Sequence, residues 1–315
     1  MPIDPRTAAF VFPGQGSQFV GMGKGLAQAD TLAAELFSRA DLLLGLPLST
    51  LCWEGPAETL NETVNTQPAL LVHSLAALGA LQRRFPALRP AMVAGHSMGE
   101  FSALVAAGAV GFEEALRLVL ERGRAMQAAG QQQPGGMAAI LGLDVDRVAE
   151  VCAAASSAAG GIVQVANDNC PGQVVISGEN AALDAALEAL TAAGAKRAVR
   201  LAVSIGAHSP LMQPAQDRLN RALAVSGLSD PQLPIVGNVA ASMLTTAEAV
   251  RQDLQAQLTS RVRWTESIQA MRASGVTTFV ELGAGSVLCG LIRRIDRTAV
   301  TFAVDSIESL EPLAA

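Results

Sequence analysis

The chain has 315 residues, of which 50% are hydrophobic and 16% are charged, and its formal net charge is −6. This length exceeds one typical domain, so we expect a large domain with a smaller insertion. The acidic balance argues against nucleic acid as the main partner. No apolar run approaches the ~18 residues of a membrane span, and the N-terminus does not resemble a signal peptide. Four scattered cysteines without C-x-x-C spacing predict neither a zinc site nor disulfides. We expect a soluble, cytoplasmic protein without a metal or other cofactor.

The first part of the chain predicts an α/β unit in which short apolar strands alternate with longer helices. The predicted elements are strands at 8–12 and 91–94 and helices at 31–44, 67–85, 99–107 and 112–129. The loop Pro13-Gly-Gln-Gly-Ser-Gln18 follows the first strand and lacks both common phosphate-binding patterns. We interpret Gln15, between two glycines, as an amide held close to another group by a tight turn.

A composition break at Gln131-Gln-Gln-Pro-Gly-Gly136 predicts a domain boundary. Strands are predicted after it at 137–141, 162–167, 174–177 and 198–203, with helices at 145–155 and 181–193. This β-α-β-β-α-β order is typical of ferredoxin-like domains. Residues 132–203 are therefore predicted to form a ferredoxin-like insertion. Residues 1–131 and 204–315 are predicted to form the discontinuous large domain.

The large domain resumes in the last part of the chain. Strands are predicted at 234–239, 277–282 and 300–304, with helices at 247–258 and after Ser286. Together with the first part they predict an α/β fold.

The segment Gly95-His-Ser-Met-Gly99 has the G-x-S-x-G pattern of a nucleophile elbow, with an apolar strand before it and an Ala- and Leu-rich helix after it. Such a turn holds a serine hydroxyl at a helix N-terminus and directs the following N–H, here that of Met98, at an oxyanion. Because the five-residue pattern also arises by chance, its flanking elements carry the prediction that Ser97 is a nucleophile.

A serine nucleophile needs a base, and the chain has only three histidines. His73 lies in an apolar stretch and is predicted to be a core residue. His96 adjoins Ser97 at a sharp turn, where neighbouring side chains point apart, so we expect it to give structural support. His208 follows a predicted strand and is the best candidate base. No Asp or Glu is obviously placed to orient it, which favours a Ser–His dyad steadied by a backbone carbonyl over a full triad.

Arg122 falls within the apolar face of the helix predicted at 112–129, where burial of an unpaired guanidinium is costly. Two interpretations stay open. Arg122 could pair structurally with Glu100 or another acid, or it could bind the terminal carboxylate of a substrate acyl group through its bidentate fork.

Several motifs occur together and in order over nearly the whole length. They are Phe12-Pro-Gly-Gln-Gly-Ser-Gln18, Thr66-Gln-Pro-Ala-Leu70, Gly95-His-Ser-Met-Gly-Glu100, Arg122-Gly-Arg-Ala-Met-Gln127, Ala166-Asn-Asp-Asn-Cys-Pro-Gly-Gln-Val-Val-Ile-Ser-Gly178, His208-Ser-Pro-Leu-Met212 and Glu281-Leu-Gly-Ala-Gly285. In these motifs the chain resembles the malonyl-CoA:acyl-carrier-protein transacylases, acyltransferases of fatty-acid and polyketide synthesis.

The resemblance implies an α/β-hydrolase-like large domain with a ferredoxin-like insertion and an active site between them. It implies Ser97 as nucleophile and His208 as base. It also implies an oxyanion hole at Gln15 and the Met98 N–H, and Arg122 as the partner of the malonyl carboxylate. A backbone carbonyl before Trp264, that of Arg263, is implied to orient the histidine. The implied partners are malonyl-CoA and an acyl carrier protein.

Two positions depart from the family pattern. Arg263 stands where some members carry Gln, which matters little if only its carbonyl is used, and the clearer departure lies just before His208. Ala207 stands before His208, where relatives often carry Phe or Ser, so a roomier pocket and weaker malonyl selectivity are implied. Met98 favours malonyl, since methylmalonyl-selecting relatives tend to carry Gln there.

Two alternatives remain at this point. The first is a hydrolase that removes acyl groups from CoA or carrier protein with the same Ser97 and His208. The second is a non-catalytic scaffold in a synthase complex, which would predict a broken dyad.

Association with a typically acidic carrier protein requires a local basic patch. The candidates are Lys24, Arg83, Arg84, Lys196 and Arg197. We favour Lys196 and Arg197, which precede the last strand of the insertion and the loop bearing His208.

Overall fold

The structure is a computed structural model that describes residues 3–314. It contains two β-sheets. The strands are β1 (Ala8–Phe12), β2 (Met92–Gly95), β3 (Gly135–Leu141), β4 (Val163–Cys170), β5 (Gln173–Glu179), β6 (Arg197–Arg200), β7 (Ile235–Val236), β8 (Met243–Leu244), β9 (Thr278–Leu282) and β10 (Val300–Val304). The helices are α1 (Lys24–Ala29), α2 (Thr31–Leu44), α3 (Leu48–Glu54), α4 (Ala57–Leu60), α5 (Thr63–Arg84), α6 (Gly99–Ala106), α7 (Phe112–Gln132), α8 (Val145–Ala159), α9 (Asn180–Ala192), α10 (Gln213–Ala224), α11 (Ala247–Gln257), α12 (Trp264–Ala273) and α13 (Val287–Ile295). The fold is mixed α/β.

The larger sheet has the strand order β10-β9-β1-β2-β7-β8, and its neighbours are parallel except for the β7–β8 pair. Its central strand β1 is buried along its whole length. Phe10 and Phe12 pack into the core under α2 and α5, whereas Ala9 and Val11 pack into a second core that contains Trp264 of α12. Helices therefore cover both faces, which is the usual environment of a parallel sheet. In such sheets ligands bind beyond the carboxyl ends of the strands.

The smaller sheet is antiparallel, with the strand order β4-β5-β3-β6. One core joins Ile140 and Ile176 of this sheet to Val148 of α8 and Leu183 of α9. Strand β4 also contacts the larger unit, because Asp168 N–H donates to the Val262 carbonyl at 2.9 Å and Val262 N–H donates to the Ala166 carbonyl at 2.8 Å. The small sheet is thus joined to the large one along β4.

Every predicted strand and helix is present, although two strands are shorter than predicted. The strand predicted at 198–203 ends at Arg200, where the chain leaves the sheet edge for the loop to His208. The strand predicted at 234–239 covers only Ile235–Val236, because Asn238 turns toward the end of β2, where its side chain forms hydrogen bonds. The elements that were not predicted are α1, α3, α4, α10, α12 and β8.

His73 lies in the core, as predicted. It is fully buried, and its Nε2 lies 3.0 Å from the Asp305 carbonyl. All four cysteines are buried and free. Among residues 3–314, every helix is too short or too polar to cross a bilayer.

Candidate active site

Ser97 lies on a sharp turn between β2 and α6, and its φ of 53° falls in the left-handed region. Close packing explains the two flanking glycines. A Cβ on Gly95 would lie 1.9 Å from the Gly99 carbonyl carbon, and a Cβ on Gly99 would lie 2.2 Å from the Phe12 carbonyl oxygen. Both contacts are impossible, so the turn admits no side chain at either position. The result is a serine hydroxyl presented beside the N-terminus of α6.

Asn238 stabilises this strained turn from the neighbouring strand. Its Oδ1 accepts the Ser97 N–H at 2.7 Å, and its Nδ2 donates to the Gly95 carbonyl at 2.7 Å. Asn238 follows β7, which pairs with β2, so the carboxyl ends of the two strands bring these groups together. The buried side-chain amide of Asn238 thus forms hydrogen bonds with a backbone carbonyl before Ser97 and with the backbone N–H of Ser97 itself.

His208 lies against the nucleophile, with its Nε2 2.8 Å from Ser97 Oγ. Its Nδ1 lies 2.9 Å from the Gln257 carbonyl and 3.1 Å from the Ser260 carbonyl. Because carbonyl oxygens only accept hydrogen bonds, Nδ1 carries the ring proton in the neutral imidazole. Nε2 is therefore the free acceptor that faces the Ser97 hydroxyl. This is the tautomer that a general base requires.

The prediction that the Arg263 carbonyl orients His208 is wrong. Arg263 is the N-cap of α12, and its carbonyl accepts the Ser267 N–H at 2.9 Å as the first hydrogen bond of that helix. Gln257 is the last residue of α11, where helix carbonyls have no N–H partner in the next turn, and Ser260 lies in the loop three residues further on. Their carbonyls are therefore available to His208.

Arg122 is 1% exposed, and its guanidinium reaches the same hydroxyl. Its Nη2 lies 3.0 Å from Ser97 Oγ and 3.0 Å from Gln257 Oε1. Within the part of the chain that the structure describes, no carboxylate forms a salt bridge with this guanidinium. Direct pairing with Glu100, the structural alternative from the sequence, is thus absent. A buried cation and a neutral base converge on one serine oxygen.

Burial sets the protonation of both partners. It lowers the pKa of His208 to about 3, and the positive charge of Arg122 adds to this effect. Burial also lowers the pKa of Arg122 to about 10. At neutral pH the site therefore combines an uncharged imidazole with a charged guanidinium.

Gln15 and the Met98 N–H, the predicted oxyanion groups, lie on the two loops that follow β1 and β2. Gln15 lines a cleft together with His96, and its Nε2 donates to Thr63 Oγ1 at 3.1 Å. Met98 is the N-cap of α6, so its N–H lies at the positive end of that helix. The adjacent parallel strands β1 and β2 thus bring both loops to one edge of the sheet.

Strand β4 of the small sheet contacts both His208 and His96, the residue before the nucleophile. Asn169 Oδ1 lies 2.8 Å from His96 Nε2, and Gln164 Nε2 donates to the His208 carbonyl at 3.0 Å. The His96 ring also lies edge-on to Trp264 at 5.5 Å. His96 therefore supports the elbow, as predicted from its place beside Ser97.

Four supporting residues were not predicted from the sequence: Asn238, Gln257, Ser260 and Gln164. Asn238 was hidden from the sequence, because the strand predicted at 234–239 includes it. The other three carry no local pattern. In the described ranges, no group of three or more His, Cys, Asp or Glu side chains is arranged to bind a metal ion.

A parallel α/β sheet that presents a serine on a strand-to-helix turn against a histidine defines a class, the enzymes that pass an acyl group through a serine ester. The sequence pattern of the acyl transferase domain family matches residues 9–305. The chain is 45% identical over 303 residues to the malonyl CoA-acyl carrier protein transacylase of Bacillus subtilis strain 168, covering 96% of this chain and 95% of that protein.

Solved structures agree. An acyl carrier protein S-malonyltransferase from Vibrio cholerae superposes with a TM-score of 0.93 at 42% identity, covering 98% of this chain and 99% of that chain. A malonyl-transacylase in complex with its type II PKS acyl-carrier protein superposes with a TM-score of 0.93 at 43% identity, covering 97% and 98%. The chain belongs to the acyl transferase family and, within it, to the malonyl CoA-acyl carrier protein transacylases.

Proposed function

We propose that this protein transfers a malonyl group from malonyl-CoA to the phosphopantetheine thiol of an acyl carrier protein, through a malonyl ester on Ser97. The observation that carries the proposal is the convergence of His208 Nε2 and Arg122 Nη2 on Ser97 Oγ, at 2.8 and 3.0 Å. The identity to malonyl transacylases over nearly the whole chain supports the choice of substrates.

In the first half-reaction, Ser97 Oγ attacks the thioester carbonyl of malonyl-CoA while His208 Nε2 takes the hydroxyl proton. Met98 N–H and Gln15 Nε2 are the donors we propose for the oxyanion of the tetrahedral intermediate. Its collapse breaks the carbon–sulfur bond, and the CoA thiolate leaves with the proton from His208. The second half-reaction reverses these steps, with the carrier thiol as the nucleophile and Ser97 Oγ as the leaving group.

Arg122 is the residue we propose for binding the free malonyl carboxylate. A buried guanidinium without a carboxylate partner is costly, and a diacid substrate provides that partner. An acetyl group would leave the charge unpaired. Met98 also favours malonyl, whereas Ala207 leaves room for a larger acyl group.

We also propose the finer division of the fold. The large sheet and its helices, residues 1–131 and 204–315, form an α/β-hydrolase-like domain, and residues 132–203 form a ferredoxin-like insertion. The strand order β4-β5-β3-β6 and the packing of α8 and α9 into one core with that sheet support this division. A cytoplasmic location remains a prediction from the sequence.

The hydrolase alternative uses the same dyad and differs only in the acceptor. We therefore compare carrier malonylation with malonate release after mixing the protein with malonyl-CoA and a holo acyl carrier protein. We expect malonyl transfer to the carrier to be much faster than malonate release. Malonate release that proceeds at the same rate with and without the carrier would contradict the proposal.

A further inference from the structure

Behind Arg122 lies a row of buried polar side chains that the mechanism above does not use. Gln257 is 1% exposed, Glu100 is fully buried, and Asp253 is 7% exposed. Glu100 lies in the first turn of α6, directly after the elbow, whereas Gln257 and Asp253 lie one helical turn apart on α11. This row connects the elbow helix to the helix end that orients His208.

Hydrogen-bonding capacity determines the orientation of the Gln257 amide. Arg122 Nη2 can only donate, so the atom that faces it at 3.0 Å must be the amide oxygen. Gln257 Nε2 then points away from Arg122. It donates to Glu100 Oε2 at 2.6 Å and to the Ser97 carbonyl at 3.1 Å. The row therefore has one direction, in which Arg122 donates to Gln257 and Gln257 donates to Glu100.

The far end of the row holds one proton between two acids. Glu100 Oε1 and Asp253 Oδ2 are both buried and have no other hydrogen-bond partner among residues 3–314. The two carboxyl groups are neighbours, and two adjacent buried carboxylates cannot both be ionised at low cost, so we infer one proton between them. Burial raises the pKa of Glu100 well above its usual range, and the neighbouring Asp253 charge raises it further. Asp253 accepts backbone N–H groups, among them that of Val239 at 3.2 Å, which favour its ionised form. Burial raises the pKa of Asp253 too, but the pKa of Glu100 is the more strongly raised, so we assign the shared proton to Glu100.

We propose that Glu100 is a positioning residue for malonyl recognition: as a neutral acid it orients the Gln257 amide, and that amide holds Arg122 against Ser97. The complete row runs from Arg122 through Gln257 and Glu100 to Asp253, and each group donates to the next. This inference rests on the proposed function, because it assumes that Arg122 binds the substrate carboxylate.

In this row two neutral groups, the Gln257 amide and the Glu100 carboxylic acid, separate the Arg122 guanidinium from the negative charge of Asp253. An ionised Glu100 would attract the guanidinium and compete with the substrate carboxylate for it. With Glu100 neutral and Asp253 ionised, the buried cluster still has no net charge in the empty site. Arg122 Nε has no hydrogen-bond partner among residues 3–314, so part of its donor fork is unused. The row thus keeps the guanidinium in place and available to a diacid.

Two substitutions at one position separate the neutral acid from the alternatives. Gln in E100Q is uncharged and keeps both an acceptor for Gln257 and a donor for Asp253. Leu in E100L has a similar volume and keeps neither. We compare the ratio of kcat/KM for malonyl-CoA to kcat/KM for acetyl-CoA in the two variants and the wild type.

We expect E100Q to stay within about threefold of the wild-type ratio and E100L to fall by about tenfold or more, the range of one lost buried hydrogen bond. Equal losses in E100Q and E100L would mean that Glu100 acts as an anion, which overturns the proposal. A wild-type ratio in E100L would overturn it too, because the row would then not position Arg122.

A second measurement does not depend on activity or on the folding of E100L. The infrared difference between wild type and E100Q at neutral pH should contain the carbonyl stretch of one protonated carboxylic acid. Absence of that band would overturn the neutral-acid assignment whatever the kinetics show. The two proposals can also fail separately. If the wild type shows the band but does not prefer malonyl-CoA over acetyl-CoA, the proposed function is contradicted and the assignment of the proton to Glu100 stands.

Discussion

The nucleophile and the base share one unusual backbone conformation but are held in it by different parts of the molecule. Ser97 has a φ of 53° and His208 a φ of 59°, both in the left-handed region that residues other than glycine rarely adopt. The turn at Ser97 is shaped by its own glycines and by Asn238 from the adjacent strand. All these contacts lie at the carboxyl edge of the large sheet.

His208, in contrast, is held by a strand of the small sheet and by the end of a helix of the larger unit. Gln164 of the small sheet donates to its carbonyl, while the carbonyls of Gln257, the last residue of α11, and of Ser260 in the following loop accept its ring N–H. A local turn therefore presents the nucleophile, and long-range contacts orient the base. The comparison teaches that disturbance of the small sheet should affect the base before it affects the nucleophile.

The most severe test of the nucleophile side is Ser97→Ala. We expect transfer of malonyl to a carrier protein to be abolished, since no other group can carry the acyl ester. The fold should stay intact, because the substitution removes only one hydroxyl, and circular dichroism checks this. Transfer at the wild-type rate would show that the nucleophile is elsewhere.

Arg122→Ala should have the next largest effect, because it removes the cation that both the elbow and α11 contact. We expect the preference for malonyl-CoA over acetyl-CoA in kcat/KM to fall on the order of 10²-fold. Arg124→Ala, on the exposed side of the same helix, is the matched control and should leave the preference unchanged. An unchanged preference in Arg122→Ala would remove this residue from the site.

Asn238→Ala and Gln164→Ala compare the two supports directly. Asn238→Ala leaves the Gly95 carbonyl and the Ser97 N–H without their partner, at a cost of about 1–3 kcal/mol for each group that stays buried. Gln164→Ala removes one hydrogen bond, that to the partly buried carbonyl of His208. We therefore expect the first variant to lose more stability in urea and more kcat than the second. If Gln164→Ala loses as much stability and kcat as Asn238→Ala, or more, the proposed difference between the support of Ser97 and that of His208 is contradicted.

Reversal of Lys196 and Arg197 to Glu tests whether the carrier protein approaches from the His208 side. Both residues are exposed and lie where β6 begins, before the loop to His208. We expect KM for the carrier to rise by about tenfold with little change in KM for malonyl-CoA. The salt dependence of kcat/KM for the carrier should also flatten.

The same charge change at Arg89 and Arg124, both exposed and neither a candidate for the docking patch, is the control for net charge. If Lys196 and Arg197 can be reversed without a change in carrier KM or salt slope, the docking patch lies elsewhere.

The pH dependence should show the smallest effect and reports on the His208 environment alone. Burial first and Arg122 second hold the pKa of His208 near 3, below the 6.5 of a free imidazole. The base therefore stays neutral as the pH falls from 7.5 to 6.0. We expect a nearly constant kcat/KM for malonyl-CoA, whereas an unperturbed histidine would lose about fourfold. An acid limb near 6.5 would contradict this environment.

The parts of the site that follow from local sequence could be predicted. The elbow is specified by glycines within five residues, and the close backbone contacts at Gly95 and Gly99 explain why. Arg122 could be found because it interrupts an apolar helical face that is buried in the structure. The alternation of strands and helices likewise reflects local patterns.

The remaining site residues depend on contacts that no local pattern encodes. Gln257 lies 49 residues from His208 and Ser260 lies 52 residues from it, so only the packing of α11 identifies the orienting carbonyls. The Arg263 prediction failed because the same short segment ends one helix and begins the next, and only one of those ends has free carbonyls. Asn238 was placed inside a predicted strand that ends two residues earlier.

The most direct test of the account is the intact mass of the protein after exposure to malonyl-CoA alone, followed by peptide mapping. We predict a mass increase of one malonyl group on the peptide that contains Ser97, its loss when a holo acyl carrier protein is added, and no adduct in Ser97→Ala. A malonyl adduct on another residue, or carrier malonylation without any acyl-enzyme, would contradict it.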